Sequence, residues 1–134
     1  MKPRLIYMTA VMLLLAIAVS AQSNVLDTTR VFYSVKNTDL YSGQTLMDTF
    51  NIELNSHVFK LSHDNVEREF VIENVSGSWA SFDEEGQLIF DILVLDLHGK
   101  GKIERVGENL YLTVDLSERK DWMKRKFTIN PMQP

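Results

Sequence analysis

The sequence predicts an all-β domain: a single antiparallel meander of about eight or nine short strands, a small barrel ahead of a sandwich, after an N-terminal signal peptide. Three observations predict it. Apolar and polar residues alternate with period two in several stretches, and turn-forming residues recur between those stretches. Beyond the N-terminal segment, no stretch of ten or more residues carries a convincing helical period.

Residues 1–21 read as a signal peptide and residues 22–134 as the domain. Lys2 and Arg4 give a positive start, Leu5 to Val19 is an apolar run broken by Thr9, and Val19-Ser20-Ala21 supplies small residues before a cleavage point. Fifteen helical residues span about 22 Å, short of the roughly 30 Å of a bilayer core. The pattern therefore predicts a cleaved leader, export to the periplasm or the medium, and no membrane span after cleavage. No cysteine occurs anywhere, so disulfides, thiol nucleophiles and thiolate metal sites are excluded.

The strands are taken in order. Val31 to Val35 is rich in β-branched and aromatic residues, and Asn37 to Thr45 reads as a loop. Phe50, Ile52 and Leu54 alternate with Thr49, Asn51 and Glu53, and Asn55-Ser56 offers a tight turn. Phe59 and Leu61 mark the next strand, and Asp64-Asn65 turns the chain into Val66–Val75. Ser76 to Phe82 reads as a short strand anchored by Trp79, followed by a hairpin connection over Asp83 to Gly86. Gly99-Lys100-Gly101 is expected to turn into a strand at Lys102–Val106, and Gly107-Glu108-Asn109 to turn again. Leu110, Leu112, Val114 and Leu116 give the cleanest alternation. Ser117 to Asp121 is a loop or a single helical turn, and Met123 to Ile129 a final basic strand stopped by Asn130-Pro131.

Leu88 to Leu97 is the stretch the other strands are expected to flank. Read as one strand, it has no polar face: Ile89, Asp91, Leu93, Leu95 and Leu97 fall on one side, Leu88, Phe90, Ile92, Val94 and Asp96 on the other. A β-bulge that switches the buried phase would explain this, as would a cover over the outer face from Val25 and Leu26. A binding face is the third explanation. Burying one leucine is worth roughly 1.5–3 kcal/mol, so several left uncovered would need a partner or a ligand. The candidate ligand- or partner-binding residues are accordingly Trp79, Phe90, Leu93, Leu95 and Leu97.

Charge is uneven. Without Lys2 and Arg4, twelve basic residues face eighteen acidic ones, a net charge of −6. Residues 27–118 carry −10, whereas residues 119–134 carry +4 from Arg119, Lys120, Lys124, Arg125 and Lys126 against Asp121. An acidic body argues against nucleic acid as a partner. The basic segment leaves room for an inhibitor or accessory subunit that meets an acidic partner.

No catalytic constellation is visible. The chain has no Gly-x-Ser-x-Gly elbow, phosphate-cradling glycine loop or dinucleotide fingerprint. His57, His63 and His98 lack metal-ligand spacing, so neither metal nor cofactor is expected. Glu67, Glu69 and Glu73 read as a solvated strand face, and Asn74-Val75-Ser76 matches a glycosylation acceptor. A small exported hydrolase-type enzyme would require two or more of Asp91, Asp96, Asp115 or a histidine to meet in a cleft. Gly77-Ser78-Trp79 resembles the Gly-x-Trp of lipocalins, small exported barrels that carry apolar ligands. In that family the motif sits on the first barrel strand and a disulfide is usual; here β-rich sequence precedes the motif and cysteine is lacking. The sequence thus predicts a non-enzymatic exported or envelope-associated binding protein that holds an apolar small molecule or a protein partner, a second copy included.

Overall fold

The computed structural model describes residues 24–116 and 123–131. The signal-peptide assignment and the Ser117–Asp121 connection lie outside the described residues. A short 3-10 helix, Val25–Asp27, precedes nine strands: β1 Arg30–Asp39, β2 Thr45–Leu46, β3 Phe50–Leu54, β4 Val58–His63, β5 Val66–Ser76, β6 Gly86–Val94, β7 Leu97–Val106, β8 Asn109–Asp115 and β9 Lys124–Pro131. Every pairing is antiparallel, and β1 pairs with β9. Eight strands therefore close into a barrel, with β2 added beside the C-terminal part of β1. The all-β meander and the barrel match the sequence expectation.

Alternation fills the inside. Leu88, Phe90, Ile92 and Val94 of β6 are buried, as are Leu110, Leu112 and Val114 of β8, and Phe127 and Ile129 of β9. Phe59 and Phe70 stack with centroids 4.3 Å apart, and Phe90 meets Phe59 edge-on at 6.2 Å. Gly101 sits under the Phe90 ring, where a Cβ would overlap the aromatic carbons.

Two bulges re-phase strands. In β1, Phe32 and Ser34 are buried, Val35 and Lys36 are exposed, and Asn37 is buried again; the register with β9 shifts between Tyr33 and Lys36. In β5 the register with β6 shifts between Glu73 and Ser76, where Asn74 takes φ +52°.

Several expected boundaries are corrected. Leu88 to Leu97 is not one strand: Val94 pairs with Leu97, and Leu95-Asp96 forms a hairpin tip with Leu95 at φ +55°. That turn, rather than a bulge in β6 or a cover from Val25 and Leu26, explains the missing polar face. Gly99 and Gly101 lie within β7, which starts at Leu97. A glycine turn replaces the strand expected at 76–82: β5 ends at Ser76, Gly77 takes φ +109°, and Trp79 sits in the connection to β6. β1 runs on through Asn37 to Asp39 because β9 and β2 pair with it there.

The barrel's two ends differ. At the plugged end, Val25 and Leu26 are buried, and the Val25 N–H donates to the Trp79 carbonyl at 2.8 Å. The Trp79 N–H in turn donates to Asn24 Oδ1 at 2.9 Å. Phe82 packs edge-on against both Trp79 and Phe32, at 5.0 and 5.5 Å, and Arg105 donates to the Phe82 carbonyl. The opposite, turn end carries the β1–β3 connection, the Asp64-Asn65 turn and the Leu95-Asp96 tip.

Leu112 is fully buried, so Leu112→Asp places a carboxylate without partners in the core, a cost of about 4 kcal/mol or more. That is a large fraction of a small domain's stability, and the variant should lack the cooperative thermal melt of the wild type in circular dichroism. A melt at the wild-type temperature would refute the inward placement. Leu95→Gly should have the opposite sign, stabilising the fold by about 1 kcal/mol through relief of the left-handed backbone. Urea denaturation with an unchanged slope is the check.

Candidate functional site

Two places bring polar chemistry together. The first is a groove of about 610 Å3 on the outer wall, lined by Glu73, Asn74, Asp91, His98, Lys100 and Asp115. Strand register builds it: Glu73 pairs with Asp91, Asp91 with Lys100, Lys100 with Asp115, and Asp115 with Lys124, one outward row across five strands. Asp91 is its fixed point. Lys100 donates to Asp91 Oδ1, and the Asn74 amide donates to Oδ2 at 2.9 Å. The Lys100 hydrogen bond first, and the Asn74 hydrogen bond next, hold the Asp91 carboxyl below the usual carboxylate range. The bulge at Asn74 thus has a local purpose: it aims the amide at Asp91.

The groove meets the condition set for an enzyme, because Asp91, Asp115 and His98 share it, while Asp96 lies on the hairpin tip. A general acid needs a pKa moved toward neutrality, and Asp91 is moved the other way. The groove offers an ionised acceptor and an ammonium, a surface for polar groups. Among the described residues, no cluster of three or more His, Asp or Glu side chains is placed to hold a metal ion. His63 stacks on Phe50 at 4.4 Å with Nδ1 2.9 Å from the Thr49 carbonyl, at the turn end, far along the fold from His57 in the β3–β4 turn.

The second place is inside the barrel, toward the turn end. Ser34 and Asn37 of β1 are fully buried polar residues, and Arg125 of β9 lies against Asn37. Arg125 shares the inward phase of Phe127 and Ile129, and its Nη1 donates to Asn37 Oδ1 at 2.7 Å. Asp39 Oδ2 lies 4.0 Å from Nη2. The Ser34 hydroxyl is spent on the Lys36 carbonyl at 2.9 Å. Asn37 Nδ2 has no partner among the described residues. Around the same end, Leu40, Tyr41, Met47, Val66 and Leu95 are exposed large apolar side chains, Leu95 at 74%.

The five candidate binding residues do not form one surface. Trp79, Phe90 and Leu97 are buried in the core, with the Trp79 indole N–H donating to the Glu84 carbonyl at 3.0 Å. Leu93 faces outward beside exposed Val71, and Leu95 stands on the hairpin tip. Sequence reasoning passes over Asn37 and Arg125, although the alternation of β9 already sets Arg125 in phase with Phe127. The Gly77-Ser78-Trp79 motif falls between the fourth and fifth barrel strands, not on the first.

These features define a small closed antiparallel β-barrel. The chain matches none of the protein-family models, and no curated protein and no solved structure matches it significantly.

The Asp91 pairing has a pH signature. Its carboxyl is lowered in the folded state, so the pairing contributes fully above the unfolded carboxyl pKa of about 3.9 and is lost as pH falls through the lower folded value. Thermal melts of wild type and Asp91→Asn should therefore differ near neutrality, with the wild type higher, and converge in acid below about pH 4. Curves that stay parallel into acid would show that the Lys100 and Asn74 contacts add nothing through ionisation.

Proposed function

We propose that this chain is an exported, non-enzymatic barrel that binds a lipophilic ligand at its turn end. The observation that carries the reading is the asymmetry of the two ends. One is packed by Val25, Leu26, Trp79 and Phe82, with the hydrogen bond between Asn24 and Trp79 fixing them and a polar-rimmed pocket of about 330 Å3 beside Phe82 and Arg105. The other combines exposed Leu40, Tyr41, Met47, Val66 and Leu95 with polar groups inside the wall. Apolar side chains on loop tips cost solubility and are the pattern of an interaction site. The leucine at the β6–β7 tip also occupies a left-handed backbone where a glycine would be easier, a strained choice that keeps an apolar side chain in place. The N-terminal sequence pattern supports export.

Native mass spectrometry tests the reading, on protein expressed from the full chain in a bacterial host and gently purified. A persistent extra mass that extracts into organic solvent is the expected result, and it identifies the ligand class. A clean dimer without added mass would assign the apolar tips to a second copy instead. A bare monomer that also fails to take up added fatty acids or alcohols would overturn the proposal.

A further inference from the structure

We propose that Arg125 and Asn37 form an anion-recognition site within the turn end of the barrel, suited to the carboxylate or phosphate of an amphipathic ligand. The inference rests on the lipophilic-ligand reading and specifies the ligand's head. Inward positions of a small closed barrel are expected to be apolar packing. This barrel departs from that rule at Ser34, Asn37 and Arg125. Ser34 is satisfied by the Lys36 carbonyl. What remains is one buried donor without a partner among the described residues, Asn37 Nδ2, beside the Arg125 guanidinium.

Asn37 is 1% exposed, its carbonyl is taken by Arg125, and its Nδ2 donates to no described group. A guanidinium carries five N–H donors, and one of them is spent on Asn37. Among the described residues, the carboxylate paired with Arg125 is that of Asp39, at 4.0 Å, beyond hydrogen-bond reach. The other oxygen of that carboxylate accepts from the Tyr41 and Ser42 N–H groups at 2.8 and 3.3 Å, which ties Asp39 to its own turn. A buried amide N–H nearly always finds an acceptor, so the missing partner of Asn37 Nδ2 is an acceptor, and the Arg125 charge beside it favours an anionic one. A planar carboxylate or a phosphate matches the guanidinium fork with two parallel bonds, and a neutral alcohol does not.

The site is reachable and has apolar neighbours. The Arg125 side chain is 27% exposed. Asn37 pairs across the strands with Phe127 on one side and Leu46 on the other, and Phe127 meets Phe50 edge-on at 5.2 Å. The loop that follows Asp39 bears exposed Leu40, Tyr41 and Met47. An anion at Arg125 leaves its hydrocarbon chain to lie along these groups. Arg125 makes the contact; Asn37 holds the guanidinium through its carbonyl and offers Nδ2 as a further donor when the anion is admitted.

The test is isothermal titration of the purified protein with decanoate, with decanol, and with acetate and inorganic phosphate as headgroups without a tail. Decanoate should bind at least about tenfold tighter than decanol, the gain of a charge-assisted pair. Arg125→Gln and Asn37→Asp should each erase that difference, bringing decanoate to the affinity that decanol has for the same variant. Asn37→Asp supplies a built-in carboxylate to Arg125 and so should hold the wild-type melting temperature, which separates a lost site from a lost fold. Equal affinity for decanoate and decanol would overturn the anion site and leave the lipophilic-ligand reading standing. Acetate or phosphate binding as tightly as decanoate, and lost in both variants, would support the anion site with a free anion as its occupant. No binding of any of the four probes would overturn both.

Discussion

The hydrogen bonding of β1 on both of its edges is the constraint on which the rest depends. A nine-strand meander left open would expose two edges, each a template for pairing with another chain. Here β1 pairs with β3 and β2 on one side and with β9 on the other, and only β2 remains as a two-residue fringe. Satisfying both partners takes a register shift, and the bulge between Tyr33 and Lys36 provides it. The shift has a chemical consequence. Without it, the residues after Ser34 would keep the even phase inward; with it, Asn37 turns into the barrel within hydrogen-bond reach of Arg125. Closure of the sheet and the polar cluster inside it have one origin.

A narrow interior also dictates where small residues must stand. Gly101 on β7 leaves room for the Phe90 ring of β6, and Gly86 leaves room for the Trp79 indole. Aromatic rings on one strand and missing side chains on the next are two halves of one packing solution, and a close-packed interior allows few voids. The same economy explains the plug. Trp79 fills the barrel's end while its N–H groups find Asn24 and Glu84, so the polar parts of a buried indole and its backbone are satisfied.

Much of this fold is legible because period-two alternation is a direct image of a wall with one dry side. Leu110 to Leu116 and Phe50 to Leu54 can be assigned to inside and outside from sequence, and Asp64-Asn65 can be placed in a turn since both residues tolerate positive φ. The failures share a cause: turn chemistry without turn residues, and glycines used for packing. Leu95 at φ +55° carries no signal that separates it from a strand leucine, so two strands merge into one. Gly99 and Gly101, which read as a turn, are strand positions where a Cβ would strike Leu116 and Phe90. Asn37 resembles loop chemistry because a buried asparagine in a strand is visible only once its partner strand is known. Arg125 is concealed by its lysine neighbours, which supply a basic outer face while Arg125 itself follows Phe127 inward.

The contrast between the outer groove and the inner cluster bears most directly on function. Outside, Asp91, Lys100, Asp115 and Lys124 alternate in sign along the row that Glu73 begins, and each of these four gains a partner in high dielectric where pairing is worth little and costs little. Inside, one buried donor is left over: the Asn37 carbonyl accepts from Arg125, and the Asn37 Nδ2 beside it has no partner among the described residues. Water dilutes an imbalance at the surface, but a low-dielectric interior magnifies it, so the same missing acceptor weighs far more in the barrel than on its wall. A structure that packs a fully satisfied tryptophan at one end and leaves a buried amide donor unpaired toward the other has its unmet chemistry at the end where apolar loop tips stand exposed. Binding there would relieve two costs together, the uncovered hydrocarbon and the unpaired amide donor, and a ligand with both a tail and an anionic head meets both beside the Arg125 charge.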